Sequence, residues 1–138
     1  MVPTMSNMSA IRVLLVDDNP KFLTAAAYFL ATIPRVEIVG CGLSGREGVE
    51  QAGRLQPDLI LMDVAMPEMN GLEATRRIKA QPGAPYIVIL TMHDDPEYRA
   101  AAGLVGADGF ITKSEFGIQL LPVIQTLFNP PILSGLVK

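Results

Sequence analysis

Residues 11–18 read IRVLLVDD, and this stretch decides the fold. A run that is apolar at nearly every position ends in two adjacent carboxylates, Asp17 and Asp18. Such a run is a strand covered on both faces, as in a parallel sheet flanked by helices. Asn19 can then cap a helix, and Pro20 fits its first turn. Phe22, Ala26, Phe29 and Leu30 give that helix an apolar stripe, and Pro34 stops it. Working outward, strand-like runs recur at 36–39 (VEIV), 58–62 (DLILM), 86–91 (YIVILT) and 109–112 (GFIT). Helical signals stand between them. Ser44 and Glu47 have capping-box spacing ahead of Val49, Ala52 and Leu55. Asn70 can cap a third helix, in which Glu73 and Arg77 are four apart and can pair. Asp95 and Pro96 open a fourth, and Gly106 can end it in a left-handed cap. Residues 114–128 form a fifth with Pro122 inside. A proline there costs about 3 kcal/mol outside the first turn, so this helix is expected to start late or to bend. The alternation predicts an α/β fold: a doubly wound five-stranded parallel sheet with right-handed crossovers, in a single domain.

Composition bounds the function. A chain of 138 residues fits one domain that folds without disulfides or structural metals. With 49% hydrophobic and 18% charged residues, general disorder is excluded. The 11 Lys and Arg against 14 Asp and Glu, net charge -3, argue against bare nucleic-acid binding by this segment. The single cysteine, Cys41, excludes an internal disulfide and a cysteine zinc site. The single histidine, His93, excludes any mechanism that needs two. The opening MVPTMSNMSA has no basic residue and no apolar run, unlike a signal peptide. No stretch nears the ~20 apolar residues of a spanning helix, so the expected location is the cytoplasm, away from the membrane. Residues 1–10 read as a flexible tail and 11–128 as the domain. Residues 129–138, opening Asn129-Pro130-Pro131, read as a tail or the start of a linker.

Ligands of open α/β sheets bind at the carboxyl ends of the strands. There the sequence sets Asp17 and Asp18 after strand one, Asp63 after strand three, Thr91 after strand four and Lys113 after strand five. Crowded carboxylates repel and call for a cation, and a hard divalent ion with oxygen ligands, Mg²⁺ first, suits them. Plainer readings exist. Acidic residues often begin loops after strands, Thr91 is a β-former, Phe110 a core aromatic and Lys113 a surface lysine. Asp58 reads as a solvated turn residue, and Asp94 and Asp95 as helix-start residues favoured by the dipole.

Together, Asp17-Asp18, Asp63 with Met66-Pro67 and Asn70-Gly71, Thr91, and Phe110 three before Lys113 resemble the receiver domain of two-component response regulators. The resemblance spans roughly residues 11–128. Residues 63–79, DVAMPEMNGLEATRRIK, are similar to the NarL/FixJ-type subfamily, whose receivers precede a helix-turn-helix DNA-binding domain. The resemblance implies a flavodoxin-like strand order, 2-1-3-4-5. It implies that Asp63 is the phosphoacceptor for a phosphohistidine on a sensor histidine kinase. Asp18 and Asp63 would ligate Mg²⁺ (or Mn²⁺), with the Ala65 carbonyl as backbone ligand and Asp17 acting through a metal-bound water. Lys113 would meet the phosphoryl oxygens and Thr91 would offer them its hydroxyl. Phe110 would turn inward, altering the helix 4–strand 5–helix 5 surface and so a transcriptional output.

The implied protein is a signalling domain and no enzyme beyond its own phosphorylation and dephosphorylation. The sequence does not give the oligomeric state; a homodimer could form through helix 4–strand 5–helix 5 or through helices 1 and 5, and DNA contact is expected only through an output domain outside this chain. Some positions depart from the family. Ala65 is small and His93 variable, and both are expected to tune phosphoaspartate lifetime. Ser114 replaces a frequent proline, and Phe110 lacks the hydroxyl of a switch tyrosine. The alternatives are a phosphorylation-independent pseudo-receiver, a stand-alone single-domain regulator, and a small Mg²⁺-dependent phosphatase. The last usually has Asp-x-Asp after its first strand, where this chain has Asp-Asp. Gly40-Cys41-Gly42-Leu43-Ser44-Gly45 matches G-x-G-x-x-G. A dinucleotide reading fails because the motif follows the second strand, an edge strand in the receiver order, and because the chain is short.

Overall fold

The structure is a computed structural model that describes residues 10–128. The expected tails at 1–10 and 129–138 therefore lie, but for Ala10, outside the described residues. Five units alternate: β1 (Ile11–Val16), α1 (Pro20–Leu30), β2 (Val36–Gly42), α2 (Gly45–Leu55), β3 (Leu59–Asp63), α3 (Gly71–Lys79), β4 (Tyr86–Thr91), α4 (Pro96–Leu104), β5 (Gly109–Thr112) and α5 (Phe116–Phe128). The sheet is parallel throughout, in the order β2-β1-β3-β4-β5. Fold class and strand order are as expected.

The side-chain period of two divides the core between the faces. Val13, Leu15, Leu59, Leu61, Val88 and Leu90 point to one side, where Leu23, Ala26 and Leu30 of α1 and Phe116, Leu120 and Ile124 of α5 cover them. Leu14, Val16, Ile60, Met62, Ile87 and Ile89 point to the other, under Ala52 of α2, Ala74 and Ile78 of α3 and Ala102 of α4. β3 is buried at every position, which explains its unbroken apolar run.

The ends of the helices follow local chemistry. Asn19 accepts from Lys21 N and Phe22 N, Asn70 from Glu73 N, and Asp95 from Glu97 N. Ser44 accepts from Glu47 N, but the Glu47 carboxylate takes the N–H of Leu43 and not that of Ser44. Gly106, at φ +94°, ends α4 with both bonds of a Schellman motif, Ala107 N to Ala102 O and Gly106 N to Gly103 O. The carbonyls at the end of α2 are met by a distant partner: Arg12 Nη1 donates to Leu55 O and Gln56 O.

Some elements differ from the sequence reading. β2 runs on to Gly42, past an irregularity opposite Val13 and Leu14, because Gly40, Cys41 and Gly42 pair with Leu14, Leu15 and Val16. Asp58 lies just before β3 and is exposed, yet its carboxylate accepts the Arg12 N–H at 2.8 Å, so it ties two strand starts together. α5 begins at Phe116, after a 3-10 turn, which still leaves Pro122 inside the helix. Pro122 lies on the exposed side, so solvent can serve the Ile118 carbonyl that proline leaves without a donor.

Candidate functional site

In this strand order the connection reverses direction between β1 and β3, and the crevice opens at their carboxyl ends. Asp17 follows β1 and Asp63 ends β3, so the two are neighbours across that crevice, with Asp18 beside them. Carboxylate oxygens of Asp17, Asp18 and Asp63 lie within 4.8 Å of one another. Asp17 and Asp63 are buried, whereas Asp18 is exposed at the rim. Lys113, from the turn after β5, closes the group: Nζ stands 2.6 Å from Asp17 Oδ2 and 3.1 Å from Asp63 Oδ1.

The electrostatics of this cluster are unbalanced. Burial, then the Asp17 charge, push the Asp63 carboxyl up from 3.8 to about 6; Lys113 pulls it down and Asp18 adds to the rise. For Lys113, burial disfavours the ammonium, but the contacts with Asp17 and Asp63 outweigh it and hold the lysine above its usual value. Asp17 Oδ1 accepts the Asn19 N–H at 2.9 Å. Asp17 Oδ2 is buried and meets the Lys113 ammonium at 2.6 Å. Three carboxylates against one ammonium are a donor set that suits a hard dication.

β3 holds Asp63 by close packing at the loop that follows it. Gly71 opens α3 directly against the strand end, and Gly71 N donates to Val64 O at 3.0 Å. A Cβ at position 71 would collide with the Asp63 carbonyl oxygen and would meet Met62 Cγ at 3.0 Å. Ala65 is exposed two residues beyond Asp63.

Thr91 ends β4 next to β5, paired with Thr112, and is buried. Its hydroxyl is engaged locally: Oγ1 donates to His93 O at 3.1 Å and accepts from His93 N at 3.3 Å. His93 is exposed and acts on Thr91 through its backbone. Phe110 is half-buried on the α2–α3–α4 side of the sheet. The structure thus brings Asp17, Asp18, Asp63 and Lys113 into contact, while Thr91, His93 and Phe110 stand on neighbouring strand ends.

Two participants were missed in the sequence. The Phe22 ring lies under the Lys113 ammonium at 4.5 Å, and the Arg99 guanidinium lies over the Phe110 ring at 4.5 Å. Gly71 was legible as part of the Asn70-Gly71 motif, but not its close approach to the Asp63 carbonyl. Phe22 was legible only as part of a helix stripe, and nothing in the local pattern marks Arg99. Asp95 caps α4 as a helix-start residue, whereas Asp94 lies in the loop before it and holds Arg99 at 3.0 Å. The glycines at 40–45 are packing sites on or beside the edge strand. A Cβ on Gly45 would meet the Met69 carbonyl, and one on Gly40 would meet Gln51 and Leu55 side chains.

Comparison with known proteins agrees with this geometry. The family model described as the response regulator receiver domain matches residues 13–125. The transcriptional regulatory protein DegU of Brevibacillus brevis is 30% identical over 138 residues, 96% of this chain and 58% of that protein. The nitrate/nitrite response regulator NarL of Escherichia coli is 36% identical over 109 residues, 79% of this chain and 50% of that protein. The chain therefore spans about half the length of these relatives. The crystal structure of a LuxR-family two-component response regulator from an Aurantimonas species superposes with a TM-score of 0.82 at 31% identity, covering 87% of this chain and 86% of that one. Sheet order, acidic crevice and sequence similarity lead to one assignment: this chain belongs to the response regulator receiver domain family.

Proposed function

We propose that the chain is a phosphoacceptor switch in which Asp63 receives a phosphoryl group from a phosphohistidine of a sensor histidine kinase. The observation that carries this reading is the Asp63 carboxylate, buried amid two further carboxylates with the Lys113 ammonium 3.1 Å from one oxygen. In the step, an Asp63 carboxylate oxygen forms a bond to phosphorus as the phosphorus–nitrogen bond to imidazole breaks. The ring carries a proton on its other nitrogen and leaves with the P–N electron pair, so the products are an acyl phosphate and a neutral imidazole. Asp63 needs its anionic form to attack, and Lys113, fixed by Asp17, supplies a positive charge beside the incoming oxygens. Asp18 and Asp63 are the side chains suited to hold Mg²⁺ or Mn²⁺, with the Ala65 carbonyl as a backbone ligand and Asp17 through water. A bound dication would supply charge neutralisation of phosphoryl oxygens, where such transfer needs most help.

Thr91 would then release His93 and turn its hydroxyl to the new phosphoryl group, and Phe110 would move inward. The altered face comprises α4, β5 and α5, the expected surface for homodimer or output contacts alongside the α1–α5 face. Ala65 and His93, both exposed at the site's edge, would set how readily water attacks the acyl phosphate. A transcriptional output fits DegU, a transcriptional regulatory protein by name, of which the match covers 58%. DNA contact would belong to such an output domain and not to this one. A cytoplasmic setting fits a kinase partner, and among the described residues no helix is long and apolar enough to cross a membrane.

The test is intact mass after incubation with acetyl phosphate and Mg²⁺. Wild type should gain one phosphate and Asp63→Asn none. A wild type that stays unmodified under these conditions refutes the proposal and favours a phosphorylation-independent interaction module.

A further inference from the structure

We propose that Phe22 is a positioning residue for Lys113: its ring forms one wall of the ammonium's seat and keeps that charge aimed at the Asp63 oxygens. The Lys113 side chain is 10% exposed, and its Nζ lies 2.6 Å from Asp17 Oδ2, 3.1 Å from Asp63 Oδ1 and 4.5 Å from the Phe22 ring centroid. Two of these are anions. The third is an aromatic face, whose quadrupole attracts a cation while excluding water from it.

The ring is itself held. It meets Phe116 edge-on at 5.4 Å, and Phe116, three residues after Lys113, is buried and also packs on Phe29 at 5.8 Å. From the other end, the Asn19 side chain accepts the Phe22 N–H while Asn19 N donates to Asp17 Oδ1. One residue thus ties Asp17 and Phe22, both neighbours of the Lys113 ammonium, to the same turn. A lysine is a point charge on a flexible stem. Charge stabilisation is worth most when the charge is placed beforehand and needs no reorganisation during reaction. A leucine at position 22 would fill much of the space yet give the ammonium no attractive face.

The proposal rests on the phosphoacceptor reading for its kinetic arm only. Two measurements are made on wild type, Phe22→Leu and Phe22→Tyr: the rate of phosphorylation by acetyl phosphate with Mg²⁺, and the ¹³C relaxation order parameter of the Lys113 ε-methylene in unphosphorylated protein with EDTA. Phe22→Leu should slow phosphorylation by about two- to thirtyfold, the range spanned by cation–π pairs from exposed to desolvated, and should lower the Lys113 order parameter. Phe22→Tyr, which keeps the ring, should restore both. In a Lys113→Ala background, exchanging Phe22 for Leu should change the rate less than about twofold, since the ring then has no cation to hold. The proposal is overturned if Phe22→Leu leaves rate and order parameter unchanged, if it slows the Lys113→Ala protein as much as wild type, or if Phe22→Tyr is as defective as Phe22→Leu. Phe22→Met replaces Phe22→Leu should the latter not fold. A wild type that takes no phosphate refutes the phosphoacceptor reading, and the order parameters of the three proteins still decide the role of Phe22.

Discussion

Replacing Asp63 by asparagine is expected to stabilise the metal-free domain at neutral pH. The Asp63 carboxyl is raised from 3.8 to about 6, first by burial and then by Asp17, even with Lys113 drawing it down. A folded-state value above the unfolded one means that the folded protein binds this proton more tightly. Below about pH 4 the group is protonated in both states and has no net effect. Stability falls as pH rises from about 4 to about 6, and the deficit is complete above about 6. Roughly two units, at about 1.4 kcal/mol each, bound that deficit at about 3 kcal/mol. Asp18 is exposed at the rim, so water reaches and screens the cluster, which reduces the deficit to about 1.5 kcal/mol. Asparagine keeps the shape and removes the charge, and Lys113 retains Asp17 at 2.6 Å. In EDTA at pH ~7.5 the melting midpoint of Asp63→Asn should exceed that of wild type by about 5 °C, and the gap should shrink on acidification and close below about pH 4. Saturating Mg²⁺ should narrow the gap at neutral pH by stabilising wild type more. Calorimetric scans across that pH range test the argument. An Asp63→Asn midpoint at or below wild type at neutral pH would refute it, as would a gap that does not shrink on acidification.

Three further outcomes follow from the packing. Gly71→Ala places a methyl on the Asp63 backbone carbonyl, which no rotamer can relieve. Urea unfolding should show a loss of about 1–3 kcal/mol, together with slower acetyl phosphate uptake; an unchanged midpoint contradicts the close approach. Lys79 links α3 to the start of β5, with Nζ 2.7 Å from Asp108 and 2.8 Å from Pro85 O. Lys79→Met should cost about 1–2 kcal/mol, and a double-mutant cycle with Asp108→Asn should show coupling; strict additivity would count against the strut. Arg99→Ala uncovers Phe110 and frees Asp94, so beryllium fluoride with Mg²⁺, a phosphate mimic, should bind about two- to fivefold more tightly, the worth of an exposed cation–π contact. Calorimetric titration giving equal or weaker binding would show that Arg99 does not restrain the ring.

The sequence carried the sheet because two-sided burial leaves an unmistakable trace: β3 and β4 are apolar where both faces are covered. It carried the acidic site because strand ends and site coincide in such sheets, so Asp17, Asp18, Asp63 and Lys113 could be placed without coordinates. The end of β2 was illegible, since Gly40-Cys41-Gly42 has no β-forming signature and is extended only because it pairs with Leu14–Val16. Periodicity tells which side of a helix faces inward but not what it will touch. Phe22 reads as core, yet its ring face meets an ammonium 91 positions along the chain (113 − 22). Pro122 shows the same limit. Its cost is written in the residue type, whereas its tolerance depends on which side of α5 faces water.

The Thr91 hydroxyl begins with its proton committed, donating to and accepting from the backbone of His93. Any acceptor that recruits it trades one hydrogen bond for another and hands two backbone groups of an exposed loop to solvent. Swaps of this kind net only about 1–2 kcal/mol. A second arrangement of the β4–α4 loop that differed by no more than such a swap would hold roughly 3–15% of molecules before any signal arrives. A relay built on such a hinge would have a resting tone, and its dynamic range would be set by how far below unity that tone lies.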